Sequence, residues 1–82
     1  MEQIARDAKQ IGQALRRRRK ALSLTQTEVG SKAQVRQETV SKLESGRPGA
    51  PLHTMLAVLR ALRLELLIRE RSKAELDIEE LF

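Results

Sequence analysis

The sequence lacks several residue types that whole classes of protein require. It has no cysteine, which excludes disulfides and thiolate metal sites, and its single histidine, His53, cannot build a metal site alone. Tryptophan and tyrosine are absent and there is one phenylalanine, so the aromatic platforms on which single-stranded bases stack are missing. No catalytic set, Gly-rich phosphate loop or EF-hand loop occurs. We therefore expect no enzyme, no metal and no cofactor.

Long apolar runs are absent as well. Residues 1–6 are polar and amphipathic, unlike a signal peptide, and no segment approaches the roughly 20 apolar residues that cross a bilayer. We expect a cytoplasmic protein with no membrane partner. A chain of 82 residues forms one small domain with a modest core. Dimerisation would add buried area to that core.

Basic charge is the first positive indication of function. Residues 74–82 hold four of the 11 acidic residues and no basic one, which leaves 16 basic and 7 acidic residues in the remainder, a net charge of +9. A body this basic favours a polyanionic partner. Because stacking aromatics are lacking, duplex DNA is a better partner than a single strand.

Helical periodicity dominates the first half of the chain. Apolar residues recur at spacings of three and four over residues 4–22, which predicts a first helix near 8–22. Thr25 followed by Glu28 is the signature of a capping box. It predicts a short second helix over about 25–33.

Two more helices follow. The third is predicted over about 36–45, with Gly46 as the glycine that stops it. The fourth is predicted over about 52–62, with Thr54 as a candidate cap. The expected fold is therefore all-α, a compact bundle of four to five helices that contains a helix-turn-helix.

The remainder of the chain changes character. Residues 64–71 partly alternate between two faces, as a strand would, although a helix continuing from the fourth is nearly as well supported. A lone strand would need a partner, which the same strand of a second copy could supply across a two-fold axis. The acidic tail has apolar residues spaced like a short amphipathic helix. We therefore divide the chain into a DNA-binding domain, 1–63, and a dimerisation strand with an acidic tail, 64–82.

The functional pattern lies in residues 24–47. Two short helices joined by a tight turn can place the second across the first and into a major groove about 12 Å wide. Such an arrangement needs apolar residues inward, and the sequence has Val29, Ala33, Val35, Val40 and Leu43 there. It also needs polar residues outward, and here these are Arg36, Gln37, Glu38, Ser41 and Lys42.

This string resembles the Xre/Cro-repressor helix-turn-helix family. The resemblance covers roughly residues 9–63 and rests on Leu-Thr-Gln at 24–26, Thr-Val-Ser-Lys-Leu-Glu-Ser-Gly-Arg at 39–47, and Pro51 and Thr54. The sequence departs from the family pattern at two positions. Gln34 stands where a glycine with positive φ is common, and Gly30 stands where alanine is favoured at a close helix crossing.

The resemblance implies specific roles for individual residues. Gln37 opens the recognition helix, where it can bond an adenine edge, and the other base-contacting candidates are Arg36, Glu38, Ser41 and Lys42. Gln26 matches a residue that contacts phosphate and braces Gln37. Further phosphate candidates are Thr25, Thr39, Ser45, Arg47 and Arg18. Arg19 and Glu44 match a partly buried ion pair.

The layout as a whole looks like the HipB-type antitoxins. The resemblance implies a repressor that dimerises on an inverted-repeat operator, autoregulates its operon and binds a kinase-like toxin. The residues expected to contact the second copy or the toxin are Leu64, Leu66, Ile68, Leu76, Ile78, Leu81 and Phe82. Two alternatives stay open: a free-standing repressor or controller protein of the same family, and a protein-interaction module that has lost DNA binding.

Overall fold

Four helices account for all regular secondary structure in residues 2–72, the part of the chain that the computed structural model describes. Their bounds are α1 Ala8–Ala21, α2 Gln26–Ala33, α3 Gln37–Glu44 and α4 Leu52–Ala61. The expected all-α fold with its helix-turn-helix is therefore confirmed. Each predicted helix end lies within one residue of the observed one.

The first two helices start with side-chain caps. Asp7 caps α1 by accepting a backbone N–H of the first turn. At α2, the Thr25 hydroxyl accepts from the Glu28 backbone N–H at 3.0 Å, and the Glu28 carboxylate accepts from the Thr25 backbone N–H at 3.0 Å. These two bonds form the predicted capping box. The capping role suggested for Thr54 is wrong, because α4 begins earlier, after Pro51, and has no side-chain cap.

All four helices end in the same way. Each is followed by a residue in the left-handed region with a φ of 57° to 76°, and these residues are Ser23, Gln34, Gly46 and Arg63. The next backbone N–H then returns to a carbonyl in the last turn, at 2.8–3.1 Å. This is the Schellman motif, which satisfies carbonyls that the helix leaves unpaired. Gly46 is the only glycine of the four, so the other three residues carry some backbone strain.

The core is made by one apolar stripe from each helix. Six side chains are buried and form one cluster: Leu15, Val29, Val40, Leu43, Val58 and Leu62. Ala33 and Val35, which were also expected to face inward, pack against this cluster and are partly buried. Helices α1 and α3 approach closely at Gly12, where an added Cβ would lie 2.5 Å from the carbonyl oxygens of both Leu43 and Glu44.

The strand expected over residues 64–71 is absent from the described chain, and so is the alternative helix. Helix α4 ends at Ala61 because Arg63 turns left-handed, and Leu64 then packs against the core. Beyond Leu64, the side chains of Leu66 and Ile68 are exposed. A strand needs a neighbouring backbone to pair with, and nothing in residues 2–72 supplies one here. The remaining contact candidates lie outside the described residues: Leu76, Ile78, Leu81 and Phe82.

Candidate nucleic-acid interface

Helices α2 and α3 are held against each other by a tight turn and a small residue. A Cβ at Gly30 would lie 2.8 Å from the carbonyl oxygen of Val35, so glycine allows the turn to lie directly on α2. Gln34 adopts the left-handed conformation with φ 59° and ψ 41°, which the position requires although the residue is not glycine. With Val29 and Val40 buried between the helices, the polar side of α3 is turned outward.

The outward side of α3 carries the residues predicted to contact bases. Arg36 is the N-cap residue and Gln37 the first helical residue, so both lie at the N-terminal end of α3. These two residues are exposed, as are Glu38 and Lys42, while Ser41 is partly buried. The structure thus brings the five candidates onto the first two turns of one short helix. Such a helix presents its N-terminal residues to base edges when it enters a major groove.

Behind this surface, Arg19 of α1 and Glu44 of α3 form a partly buried ion pair. Arg19 Nε donates to Glu44 Oε2 at 2.7 Å, and a second guanidinium N–H donates to Glu44 Oε1 at 3.0 Å. The side chains are 12% and 5% exposed, so both charges are largely withdrawn from water. Hydrogen bonding to Glu44 raises the pKa of Arg19 above its ordinary value. A third guanidinium N–H donates to the Leu24 carbonyl at 2.9 Å.

The ion pair is linked to the recognition surface through two glutamines. Gln26 Nε2 donates to Glu44 Oε1 at 3.1 Å, and Gln37 Nε2 donates to Gln26 Oε1 at 2.6 Å. We call this series of hydrogen bonds, Arg19–Glu44–Gln26–Gln37, the polar relay. It runs from a buried charge to an exposed amide at the start of α3. Sequence reasoning named the ion pair and the glutamine contact separately but missed the bond from Gln26 to Glu44 that joins them.

The residues predicted to contact phosphate differ in how many of their polar groups already form hydrogen bonds within the fold. The Thr25 hydroxyl accepts a bond in the capping box at 3.0 Å. The backbone N–H of Thr25 first, and its side chain second, hydrogen-bond to Glu28 and lower the pKa of that carboxyl. Ser45 donates to the Lys42 carbonyl at 3.0 Å. Arg18 Nε donates to the carbonyl of Leu62 at 3.0 Å, so part of this guanidinium is engaged at the end of α4.

An open groove of about 470 Å³ lies beside α3 and the loop that follows it. It brings together three cationic side chains, Arg36, Lys42 and Arg47, and two hydroxyls, Thr39 and Thr54. The sequence had assigned Thr54 to helix capping and missed its place here. Thr54 lies three residues after Pro51, in the first turn of α4. That position could have indicated a place beside the loop, because a residue in the first turn of a helix can face the same solvent as the loop before it. The groove therefore extends the basic surface of α3 toward α4.

The sequence and the geometry now agree with a known family. The model of the helix-turn-helix family HTH_3, the Xre type, matches residues 15–68. The chain belongs to this family of DNA-binding transcriptional regulators. The matched residues include the turn, all of α3 and the groove beside it. A sequence comparison with curated proteins returns no significant match.

Solved structures of other helix-turn-helix regulators share the fold. The restriction-modification controller protein C.AhdI from Aeromonas hydrophila is 29% identical, with a TM-score of 0.66 over 72% of this chain and 86% of that chain. The clp gene regulator ClgR from C. glutamicum is 29% identical, with a TM-score of 0.61 over 98% and 92%. HipB in a HipA-HipB-O2-O3 complex is 24% identical, with a TM-score of 0.80 over 87% and 100%.

Among residues 2–72, no three His, Asp or Glu side chains are grouped as metal ligands would be. Within the same residues, no helix has the length and apolar character needed to cross a membrane. The features that remain to be explained by function are therefore the outward row of α3, the polar relay and the basic groove.

Proposed function

We propose that this helix-turn-helix regulator is a repressor that reads a specific duplex DNA sequence with α3. The observation that carries the proposal is the exposed amide of Gln37, which a partly buried ion pair holds in place through Gln26. For folding alone such an exposed hydrogen bond contributes little, because ordering the side chain costs entropy that offsets it. A base-reading glutamine would gain, because its amide is oriented before the DNA arrives.

The base-reading roles follow from chemical type and exposure. Gln37 carries both a donor and an acceptor, which match the N7 and N6 groups of adenine. Arg36 and Lys42 carry only donors and suit guanine or a phosphate. Glu38 can accept from the cytosine amine. Ser41 is partly buried and contacts a base or a phosphate from closer to the helix.

Contacts to the DNA backbone would surround this row. Thr25 and Gln26 lie at the N-terminal end of α2, where backbone N–H groups and the helix dipole favour a phosphate. Thr39 and Arg47 line the basic groove, and Ser45 follows α3 directly. These contacts set the position of the protein on the duplex without reading its sequence. Arg18 is the weakest member of the set, since its Nε is engaged with Leu62.

We further propose that two copies act together on an inverted repeat. The exposed side chains of Leu66 and Ile68 give the segment after α4 an apolar surface that a second copy or another protein would cover. A symmetric dimer would place its two α3 helices in successive major grooves, about 34 Å apart. Bound at a promoter, such a dimer would exclude RNA polymerase.

Selection from a random duplex library tests this function. The purified chain is expected to enrich an inverted repeat with half-sites spaced by one helical turn, about 10–10.5 base pairs. A variant that lacks the outward side chains, Arg36→Ala/Gln37→Ala/Lys42→Ala, is the matched control and is expected to enrich nothing. If wild-type protein enriches no sequence at low salt, the proposed function is wrong and a protein-interaction module is the better account.

Two relatives favour different partners for the repressor. Likeness to HipB over that whole chain, in a complex that also contains HipA, supports an antitoxin that binds a kinase-like toxin and represses its own operon. Likeness to the controller protein C.AhdI, at slightly higher identity, supports a free-standing regulator. Both accounts use the exposed apolar residues after α4, since a second copy or a toxin could cover them. We prefer the antitoxin account because the likeness to HipB has the higher TM-score, 0.80 against 0.66, and extends over that whole chain.

A pull-down from the native host distinguishes the two accounts. Full-length chain and a chain that ends at Lys73 are used as baits, and captured proteins are identified by mass spectrometry. A kinase-fold protein held by the full chain and lost on truncation would support the antitoxin and place the contact in the acidic tail. Capture by both baits would move the contact to residues before 74. No partner, together with dimeric DNA binding, would favour the free-standing regulator.

A further inference from the structure

The donors and acceptors of the polar relay can be arranged in only one order. An ionised carboxylate can only accept hydrogen bonds, and both oxygens of Glu44 already face Arg19. Gln26 must therefore turn its NH2 group toward Glu44, as it does at 3.1 Å, and its carbonyl oxygen away. That oxygen can be met only by a donor, and Gln37 meets it with its own NH2 group at 2.6 Å.

This order leaves a defined pair of groups free on Gln37. Its NH2 group has two N–H bonds, of which one is used by Gln26, so the second N–H and the carbonyl oxygen Oε1 remain. In the major groove, adenine displays an acceptor beside a donor, whereas guanine displays two acceptors. The remaining pair matches adenine. An amide that turned freely could instead bring both N–H bonds to guanine.

We infer that Glu44 is a specificity-determining positioning residue: its carboxylate, acting through Gln26, holds the Gln37 amide in the order that selects adenine over guanine. The inference rests on the proposed function, since it requires Gln37 to face a base. Glu44 itself does not touch the DNA. Its side chain is 5% exposed, and both of its oxygens are occupied within the fold.

The charge of Glu44 is needed because two glutamines alone carry no direction. A Gln–Gln pair can form its hydrogen bond in either sense, with either amide as donor. A carboxylate breaks this symmetry, and hydrogen bonds to an ionised group are about twice as strong as those between neutral groups. Arg19 keeps the carboxylate in place with two bonds, at 2.7 and 3.0 Å. The buried ion pair therefore sets the orientation of an exposed amide two hydrogen bonds away.

Three variants separate orientation from stability. Glu44→Gln keeps the shape of the side chain but can offer Gln26 either an oxygen or an NH2 group. Because it leaves Arg19 without its charged partner, the double variant Arg19→Met/Glu44→Leu is made as well, since apolar replacement of a buried ion pair is often neutral for folding. Val58→Ala is the matched control. It destabilises the core at a buried residue of α4, which contributes no residue to the polar relay.

The first measurement is made without DNA. In 15N-labelled wild-type protein, the side-chain NH2 resonances of Gln26 and Gln37 are expected to be well dispersed and protected from exchange with water. In Glu44→Gln and in the double variant, both are expected to move toward the positions of solvated glutamine. In Val58→Ala the two side-chain resonances are expected to keep their wild-type positions. Unchanged resonances in both relay variants would overturn the inference before any DNA is used.

The second measurement is the ratio of affinities for adenine and guanine. It is made on the selected repeat, at the base pair where the Gln37→Ala variant binds all four bases with similar affinity. Wild-type chain and Val58→Ala are expected to prefer adenine by about tenfold or more. The two relay variants are expected to lose at least about fivefold of that preference, with the same salt dependence as wild-type protein. An unaffected ratio in the relay variants, or an equal loss in Val58→Ala, would overturn the inference.

The two proposals fail in different ways. If wild-type protein selects no sequence, the proposed function fails, and the inference fails with it. If wild-type protein reads adenine and Gln37→Ala abolishes the preference, the function stands. In that case a preference retained by both relay variants would overturn only the role of Glu44.

Discussion

Among single residues, we propose that the fold separates side chains that read sequence from those that contact the DNA backbone. Gln37 is exposed at the start of α3 and is braced from behind, whereas Arg47 lines the groove after α3. We predict that Gln37→Ala costs about 1–3 kcal/mol of binding on the selected site and relaxes the preference at one base pair. Fluorescence anisotropy on a panel of singly substituted duplexes measures this.

Arg47→Ala is the matched control for Gln37→Ala. It is expected to weaken binding to every duplex of the panel by a similar factor, because a phosphate contact carries no sequence information. It should also reduce the slope of log affinity against log salt by about one. An equal loss on all duplexes for Gln37→Ala would contradict its role in base reading.

Glu28 gives the molecule a specific acid sensitivity. Hydrogen bonds from Thr25 lower the pKa of Glu28 below its ordinary value of 4.5. A lowered pKa means that the carboxylate contributes stability above pH 4.5 and that this contribution is lost as the pH falls through the folded-state pKa. In Glu28→Gln, which keeps the capping box neutral, we predict a smaller loss of unfolding free energy from pH 5 to pH 3. Urea unfolding at both pH values measures it, and equal losses would contradict the assignment.

At the scale of elements, the turn between α2 and α3 carries strain that glycine would remove. Gln34 has a φ of 59°, a conformation that costs a residue with a Cβ roughly 1 kcal/mol or more. We predict that Gln34→Gly raises the free energy of unfolding by about 0.5–1 kcal/mol. The matched control is Gln13→Gly within α1, an exposed position at which the same change should destabilise by a similar amount. Destabilisation by Gln34→Gly would refute the left-handed turn.

The crossing of α1 and α3 depends on Gly12. A methyl group there would meet two backbone oxygens at 2.5 Å, and backbone cannot rotate away as a side chain can. Alanine raises helix propensity by about 1 kcal/mol, but overpacking typically costs about 1–3 kcal/mol or more. We predict that Gly12→Ala destabilises the fold by at least about 1 kcal/mol in urea unfolding. Gln13→Ala, exposed on the same helix, should change stability by less than about 0.5 kcal/mol. A stabilised Gly12→Ala would rule out this close approach.

The elements also show what the sequence reveals and what it leaves out. Helix positions were predictable because capping at Thr25, the stop at Gly46 and the apolar spacing are local signals. The left-handed ends at Ser23 and Arg63 were not, because neither residue favours that conformation and the return bond to the preceding turn decides it. The strand expected after α4 was wrong, since alternation alone cannot supply a pairing partner.

The same distinction applies to the candidate site. Residue types on α3 predicted its outward row, since polar and apolar positions alternate with the helical period. The bond between Gln26 and Glu44 was not predictable, because the two residues lie 18 positions apart and meet only when α2 and α3 are packed. Likewise, the gathering of Arg36, Arg47 and Thr54 in one groove depends on the path of the loop before α4.

At the scale of the whole molecule, charge and fold together point to DNA. The net charge is +5, and residues 74–82 contribute only acidic charge, so residues 1–73 are more basic than the chain as a whole. Such a body attracts any duplex, and this attraction weakens with salt as counterions return to the phosphates. This attraction does not depend on sequence. A sequence-specific regulator must bind one sequence far more tightly than the rest.

Sequence-specific recognition by α3 is therefore tested by comparing two affinities over a salt series. One is the affinity of the wild-type chain for its selected inverted repeat, and the other is its affinity for a scrambled duplex of equal length and composition. We predict that the selected repeat is bound at least about 10³-fold more tightly at physiological salt, and that both affinities fall steeply as salt rises. Equal affinity for the two duplexes throughout the series would contradict sequence-specific recognition by α3.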